Sequence, residues 1–424
     1  MKLTSRKECR WTKVILVPLL AGALLIFTTQ TFSQIGTGAV TRDQLLGQIN
    51  TITTAVPFLL ISPDARAGGM ADYGVATTPD PNSIHWNPAK YSFADKPMGF
   101  AVSYTPWLRA LVNDIYLANI AGYIKLKNDQ ALAASLNYFS LGNIDFTNEN
   151  AEHTGSFNPN EFSVDLSYSR KLAENFSGGF ALRYIYSNLT GGAFIQQGNI
   201  QTKAGNAVAA DLSGYWRKDV TVSGKKSLLG VGLDISNIGS KIAYSSTGVS
   251  DFLPMNFRLG TNLQMDLDQY NTLSFGVDIN KLLVPTPPAY KTDSFGNYIF
   301  DSQGNREVLY GEDPSKVSVA QALFSSWTDA PAGFKEELNE FIYNIGTEYW
   351  YDKQFALRAG YFHEAATKGN RKYFTLGAGL RYNVFGLDFA YLIPTTQRNP
   401  LENTLRFTLV FNFDALKSET KTDE

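Results

Sequence analysis

Three histidines, His85, His153 and His363, are the side chains in this 424-residue sequence best suited to proton transfer or metal ligation. They lie far apart and without ligand spacing, and no HExxH, GxSxG, P-loop or GxGxxG pattern accompanies them. His153 stands beside Glu152 in a polar loop, where a solvated imidazole is the ordinary state. The single cysteine, Cys9, precedes the first apolar run, so the chain beyond it has no disulfide, thiolate metal site or cysteine nucleophile. Two Asp-rich stretches, DSFGN at 293–297 and DSQGN at 301–305, offer oxygen ligands but lack the terminal Glu and the spacing of a calcium loop. Asp-Ser-x-Gly-Asn is turn chemistry, and YIFDSQGNREVLY reads as a small hairpin. The sequence therefore predicts no catalytic, cofactor-binding or metal-ligating residue, and a non-enzymatic protein; an envelope enzyme acting on lipids would need a nucleophile–base pair that is not visible.

What chemistry remains is charge, and its placement depends on the elements that carry it. Charged residues make up 18% of the chain against roughly 25% in soluble domains, and aromatic residues 13%. Five bases, Lys2 to Lys13, precede the apolar run Val14–Phe27, and small residues follow, which reads as a secretory signal peptide over 1–33, with an uncleaved anchor as the alternative. Its removal leaves 32 basic against 38 acidic residues, a balance that does not favour nucleic acid. A short helix is expected at Thr41–Asn50. From Pro97 the hydrophobic period becomes two and stays there. Fourteen such segments follow: 97–105, 114–126, 131–141, 161–169, 176–187, 207–217, 228–237, 254–265, 272–280, 341–351, 355–363, 373–382, 384–393 and 404–413. Most have the length of a tilted membrane strand. Connections after even strands are short (KNDQ, RKLAEN, DLDQY, DKQ), and those after odd strands reach about 60 residues. That alternation marks tight periplasmic turns and long extracellular loops, so the fold class is an all-β, transmembrane outer-membrane antiparallel barrel of 14 strands; a secreted β-sandwich is the alternative.

On this register Asp165, Arg183, Asp211, Asp234, Arg258, Asp278, Glu348, Arg358, Arg381, Asp388 and Arg406 face inward. They predict a network that solvates the lumen and pairs with Asp64, Arg66 and Asp72, in preference to a site for an anionic ligand. Those three partners lie in Ser62–Lys90, a Gly-, Pro- and Asp-rich stretch without periodicity that nevertheless carries Met70, Val75, Ile84 and Trp86. Irregular backbone with apolar side chains is buried only where other protein satisfies its polar groups. It is expected inside the barrel, with Gly68, Gly69 and Gly74 serving tight turns.

Two loop segments on the extracellular side are apolar. Ala320, Leu323, Phe324 and Trp327 fall at i, i+3, i+4 and i+7 and Pro331 closes the run, which predicts an amphipathic helix; PWLRALV at Pro106–Val112 is the other. Trp107, Leu108, Leu111, Leu323, Phe324 and Trp327 are candidate partner-binding residues, the alternative being that they pack on each other or on the barrel rim.

TAVPFLLISPDARAGGMADYGVATTPDPNSIHWNPAKYSF, Thr54–Phe93, resembles the signature of the PorV family of outer-membrane proteins of type IX secretion, and the likeness runs on through Asp95–Leu117. Asn87-Pro88-Ala89 is similar to the NPA element in the hatch of FadL-type fatty acid transporters. The resemblance implies a FadL-like barrel over 97–413, a segment at 34–96 that plugs the lumen with Asp64, Arg66, Gly68, Gly69, Asp72, Gly74, Asn87, Pro88 and Ala89 as hatch residues, and a polar tail over 414–424. It also implies an outer-membrane location and a role in protein transport: association with a SprA-type translocon, receipt of secreted cargo carrying a C-terminal signal domain, and transfer of that cargo to a PorU-type sortase and attachment complex. The alternative is a FadL-like channel for hydrophobic small molecules such as long-chain fatty acids, for which Gly178-Gly179 offers a strand-kink site. No cofactor is implied.

Overall fold

The computed structural model describes residues 40–147, 150–189, 194–195, 200–245 and 250–413; the expected leader, the polar tail and part of the loop after Asn188 lie outside them. Fourteen strands close into one antiparallel barrel. They are β1 Met98–Pro106, β2 Ile115–Lys125, β3 Gln130–Leu141, β4 Asn160–Ala173, β5 Phe176–Asn188, β6 Gly205–Val222 and β7 Lys225–Gly239. The second half is β8 Asn256–Asp266, β9 Asn271–Leu282, β10 Ile342–Tyr351, β11 Phe355–His363, β12 Lys372–Tyr382, β13 Phe385–Pro394 and β14 Leu405–Phe413. Each strand pairs with its sequence neighbour, and β1 pairs with β14 from Met98↔Phe413 to Tyr104↔Phe407, so no edge is left open. The strand count and order are those the alternating pattern predicts. β6 and β7 run several residues past the expected ends, because KDVTV and KKSL still pair beyond the point where the alternation fades.

The alternation sorts the two faces. Leu132, Leu136, Val164, Leu166, Leu182 and Leu212 are exposed on the outside, where a bilayer supplies their apolar surroundings, while Ser135, Asn137, Asp165, Ser167 and Arg183 are buried inside. Short turns gather at the end that holds both barrel termini, and their backbones twist left-handed at Asn128, Asp129, Ser223, Gly224, Asp352, Lys353 and Asn383, the geometry of a tight hairpin. One feature departs from the sequence reading. The helix expected at Thr41–Asn50 is a single turn, Arg42–Leu45. At the Gly178-Gly179 pair β5 pairs with both neighbours through the two glycines; register shifts fall next to it, between Lys171 and Ala173 of β4 opposite Ser177 and Phe176, and between Ala210 and Leu212 of β6 in its pairing with β7.

Candidate functional site in the barrel lumen and its extracellular mouth

The irregular segment from Ala55 to Ala94 lies within the barrel and bonds to strands all around it. Asp64 caps a single helical turn, Ala65–Gly68, accepting the Ala67 N–H at 2.8 Å through Oδ1 and the Trp86 indole N–H at 2.8 Å through Oδ2. Arg66 donates to both oxygens of Glu348 on β10 (3.0 and 2.8 Å), to Asp80 (2.9 Å) and to Thr78. Asp72 receives Arg406 of β14 at 2.6 Å and the Tyr373 hydroxyl at 2.7 Å. Asp278 of β9 accepts the backbone N–H groups of Gly74 and Val75, 2.8 and 2.9 Å. Asn87 donates to Val75 O and to Gly214 O on β6, while its own Oδ1 accepts Ala89 N at 3.0 Å, which starts a 3-10 turn with Pro88 in the first position. Ser177 then donates to Ala89 O at 2.7 Å. Irregular backbone in the lumen is thus satisfied by side chains the wall projects inward.

The glycines serve space more than torsion. A Cβ on Gly69 would come 3.0 Å from the Cα of Gly377 on β12, and one on Gly74 would meet the Trp86 ring at 2.5 Å. Besides Val56 at its start (φ 45°), the left-handed residues of the segment are Ala71 and Asp72 (φ 57° and 61°). Each is held from the wall: Thr375 accepts Ala71 N, Asn344 donates to Ala71 O, and Arg406 and Tyr373 hold Asp72. Several wall charges also pair with each other. Arg183 bridges Asp165 and Asp211, and Arg358 bridges Glu348 and Asp388, which also receives Arg381.

Two separate cavities flank the segment. The one at the short-turn end, about 790 Å³, is polar, with Asp80, Asp95, Lys225, Asp266 and Lys353 on its walls. The one at the long-loop end, about 380 Å³, is lined by apolar Pro57, Leu60, Trp107 and Leu401 and by charged Asp72, Glu364, Arg371 and Arg406.

Above this second cavity sits the long connection between β9 and β10. It folds into a paired strand, Ala289–Tyr290 with Val308–Tyr310, and two helices, Val319–Ser325 and Phe334–Asn339. The first helix is the amphipathic one expected; Ala322 and Val317 pack with Phe252, Met255, Leu283 and Val284, and Leu323 is half-buried against them. Phe324 points away from this core and Trp327 lies against Phe257 and Phe341. Of the other candidate partner-binding residues, Trp107 packs on the cluster around Val56 and Phe58, Leu108 is half-buried, and Leu111 is exposed. The second helix brings two further exposed apolar side chains, Phe334 and Leu338, four residues apart, that sequence reasoning did not single out.

A second constellation went unforeseen. Glu336, Glu337 and Glu340 turn inward from the second helix and meet Lys281 at the end of β9 and Lys368 between β11 and β12. Asp329 joins them, bonded to Thr286 N at 3.1 Å; burial, with Glu340 and Glu337 nearby, pushes its carboxyl up to about 7. No spacing in KEELNEF marks these acids, and only the packing of the loop brings them to the two lysines. The hairpin acids are turn residues: Asp293 and Asp301 each accept two backbone N–H bonds from their own turn.

Several solved structures resemble this chain at low identity. The toluene transporter TodX of Pseudomonas putida shares 12% identity at TM-score 0.46, over 86% of this chain and 98% of that one. The Ralstonia pickettii toluene transporter TbuX shares 12% at TM-score 0.44 over 83% and 98%. A Pseudomonas aeruginosa FadL homologue shares 13% at TM-score 0.44 over 86% and 100%. A comparison with curated proteins finds no match. The model of the family described as type IX secretion system protein PorV matches residues 44–289, more than half of the chain, and the protein belongs to that family of outer-membrane barrels.

Proposed function

We propose that this protein works from its extracellular loops, as the component of type IX secretion that binds cargo leaving a SprA-type translocon by its C-terminal signal domain and passes it to a PorU-type sortase and attachment complex. The observation that carries this reading is the loop between β9 and β10, which is packed against the barrel through one helix face and leaves Phe324 81% and Phe334 75% exposed. Exposed aromatic side chains on an anchored scaffold suit a protein partner, each contributing about 1.5–3 kcal/mol when fully covered. The hydrogen bonds of residues 55–94 to the inward-facing side chains of the wall support the same reading, as expected of a hatch that blocks the lumen. The test is a pull-down of the detergent-solubilised protein from the native envelope. Recovery of a very large translocon and of proteins sharing a C-terminal domain supports the reading; its loss in the doubly substituted Phe324→Glu, Phe334→Glu protein places the contact on this loop. Normal recovery with that variant overturns the loop assignment.

A second reading, a FadL-like channel for hydrophobic small molecules, is favoured by the 380 Å³ cavity, whose lining joins apolar Leu60, Trp107 and Leu401 to the ion pairs Arg371–Glu364 and Arg406–Asp72. This lining fits an amphiphile with a polar head. Acyl-chain density in that cavity together with uptake lost in a deletion strain supports it. Unchanged uptake sinks it.

A further inference from the structure

The loop between β9 and β10 is held at the barrel rim by buried charge that does not balance. Asp329, Glu336, Glu337 and Glu340 are 7%, 7%, 4% and 5% exposed. Among the described residues, the cations paired with them are Lys281, on Glu337 and Glu340, and Lys368, on Glu336 and Glu340. Four acidic side chains against two ammonium groups leave the cluster short of positive charge in a largely buried site that meets the 380 Å³ cavity at Glu340 and Lys368. Uncompensated buried charge costs several kcal/mol per ion, so the deficit calls for a counter-charge. The Arg371–Glu364 pair nearby is already neutral.

Hydrogen bonding locates the deficit. Glu337 is satisfied by Lys281 and by Ala330 N (2.7 Å), Glu336 by Lys368, Asn50 and Ala332 N, and Glu340 by both lysines and Thr286 Oγ1. Asp329 is the exception. Its Oδ2 accepts Thr286 N, but its buried Oδ1 has no donor at all. One carboxylate oxygen each from Asp329, Glu337 and Glu340 lies within 4.8 Å of the other two, a spread that metal–oxygen bonds of about 2.3–2.6 Å can span. An all-oxygen, all-acid donor set selects a hard cation, and three unequal carboxylates on two loop elements suit the flexible coordination of calcium better than the strict octahedron of magnesium.

We propose that Asp329, Glu337 and Glu340 bind a divalent cation, calcium by their chemistry, which neutralises the remaining charge and pins the β9–β10 loop to the rim. The bound ion ties the segment after the first helix (Asp329) to the second helix (Glu337, Glu340), and through Lys281 to the wall. It thereby fixes Phe334 and Leu338 on the outer side of the same helix. The proposal stands on the acid cluster and is independent of which partner uses that surface.

The experiment uses the full-length protein in detergent, stripped with EDTA and desalted. Calcium chloride is titrated calorimetrically, and terbium chloride is followed by luminescence excited through Trp327, two residues from Asp329 in the chain. Wild type binds one calcium per chain, magnesium at equal concentration does not displace it, and Asp329→Asn weakens binding at least tenfold. Asp293→Asn, in the hairpin of the same loop, binds as wild type. Heat-modifiable migration on gels verifies that each barrel is folded; should Asp329→Asn misfold, Trp327→Phe keeps the test, abolishing terbium luminescence while leaving calcium heat intact. No saturable calcium heat in wild type, or equal binding by Asp329→Asn, overturns the proposal.

Discussion

Arg66 and Glu348 join the lumenal segment to the barrel wall through two parallel hydrogen bonds, Nε to Oε2 at 3.0 Å and Nη2 to Oε1 at 2.8 Å. The same guanidinium reaches Asp80 and Thr78 with its remaining nitrogen, so one planar fork fixes the start, the middle and the wall at once. Glu348 also receives Arg358 at 2.7 Å, which in turn holds Asp388. Removing Arg66 strips Glu348 of one cation and leaves Asp80 without its partner. Arg66→Ala is expected to destabilise the folded barrel by about 3–5 kcal/mol, the usual cost of breaking a buried pair from one side. Arg66→Lys restores little, since an ammonium cannot make the two-pronged contact. Urea unfolding in detergent micelles, read by tryptophan fluorescence, measures both; a loss below 1 kcal/mol for Arg66→Ala would show that the pair contributes nothing net.

Gly69 and Gly377 set how closely the segment can approach β12. A methyl on either glycine meets the other's Cα near 3.0 Å and Ala65 O or Phe389 O at 3.2 Å, all backbone atoms that cannot rotate away. Gly69→Val is therefore expected to push the turn Ala65–Gly68 off the wall, breaking the Ala65 N–Thr408 and Ala71 N–Thr375 bonds that flank it. Hydrogen exchange of residues 62–75 should rise at least tenfold while exchange in the outer strands stays unchanged. Equal protection in the variant would mean that the wall yields in place of the segment.

Much of the architecture was legible because a membrane barrel states it redundantly. Every strand alternates, and Leu405, Phe407, Leu409 and Phe411 repeat on β14 the pattern of Phe162, Val164 and Leu166 on β4. The inward charges were legible for the same reason. Their partners were not, because pairing across a lumen depends on strand order and tilt: Asp64, expected to pair with the wall or within the segment, holds a helix turn and the Trp86 indole of the segment itself. The glycines announced tightness, but φ shows that the left-handed bend belongs to Ala71 and Asp72, a position no sequence pattern marks. The acid–lysine cluster was hidden because Lys281, Asp329, Glu337 and Lys368 are brought together only by a loop of irregular path.

Phe324 and Phe334 give the docking surface a test that deletion does not. Removing residues 317–330 would also remove Val317 and Ala322 from the packed cluster around Met255, so lost capture could reflect a collapsed loop. Phe324→Glu and Phe334→Glu change only exposed side chains, where substitutions ordinarily alter stability by less than about 0.5 kcal/mol. The pair should leave the melting temperature in detergent within experimental error and reduce cargo recovery several-fold. A substitution at the half-buried Leu323 should instead lower the melting temperature, and the contrast between the two readouts separates contact from scaffold.

The hairpin at 291–307 predicts a pH dependence whose sign follows from its two aspartates. The Asn297 N–H, the Asn297 side-chain amide and the Phe295 N–H hold the Asp293 carboxyl below its usual range; the Asn305 and Gln303 N–H groups do the same for Asp301. Both groups bind protons less readily folded than unfolded, so the stability they contribute is fully present above the unfolded value of about 3.9 and is lost as pH falls through the lowered folded values. The two turns, closed by Gly296 and Gly304 at φ 85° and 81°, should hold from pH ~8 to ~5 and open below about 4, while the barrel strands remain protected. Hydrogen exchange corrected for intrinsic rates, compared at pH 3 and pH 6, reads this directly at Phe295, Asn297, Gln303 and Asn305. In the Asp293→Asn, Asp301→Asn protein the amide oxygens accept the same bonds without titrating, so the difference between the two pH values should vanish; a wild-type hairpin equally protected at both would show that the backbone bonds of Lys291, Ile299 and Glu307 hold it without the carboxylates.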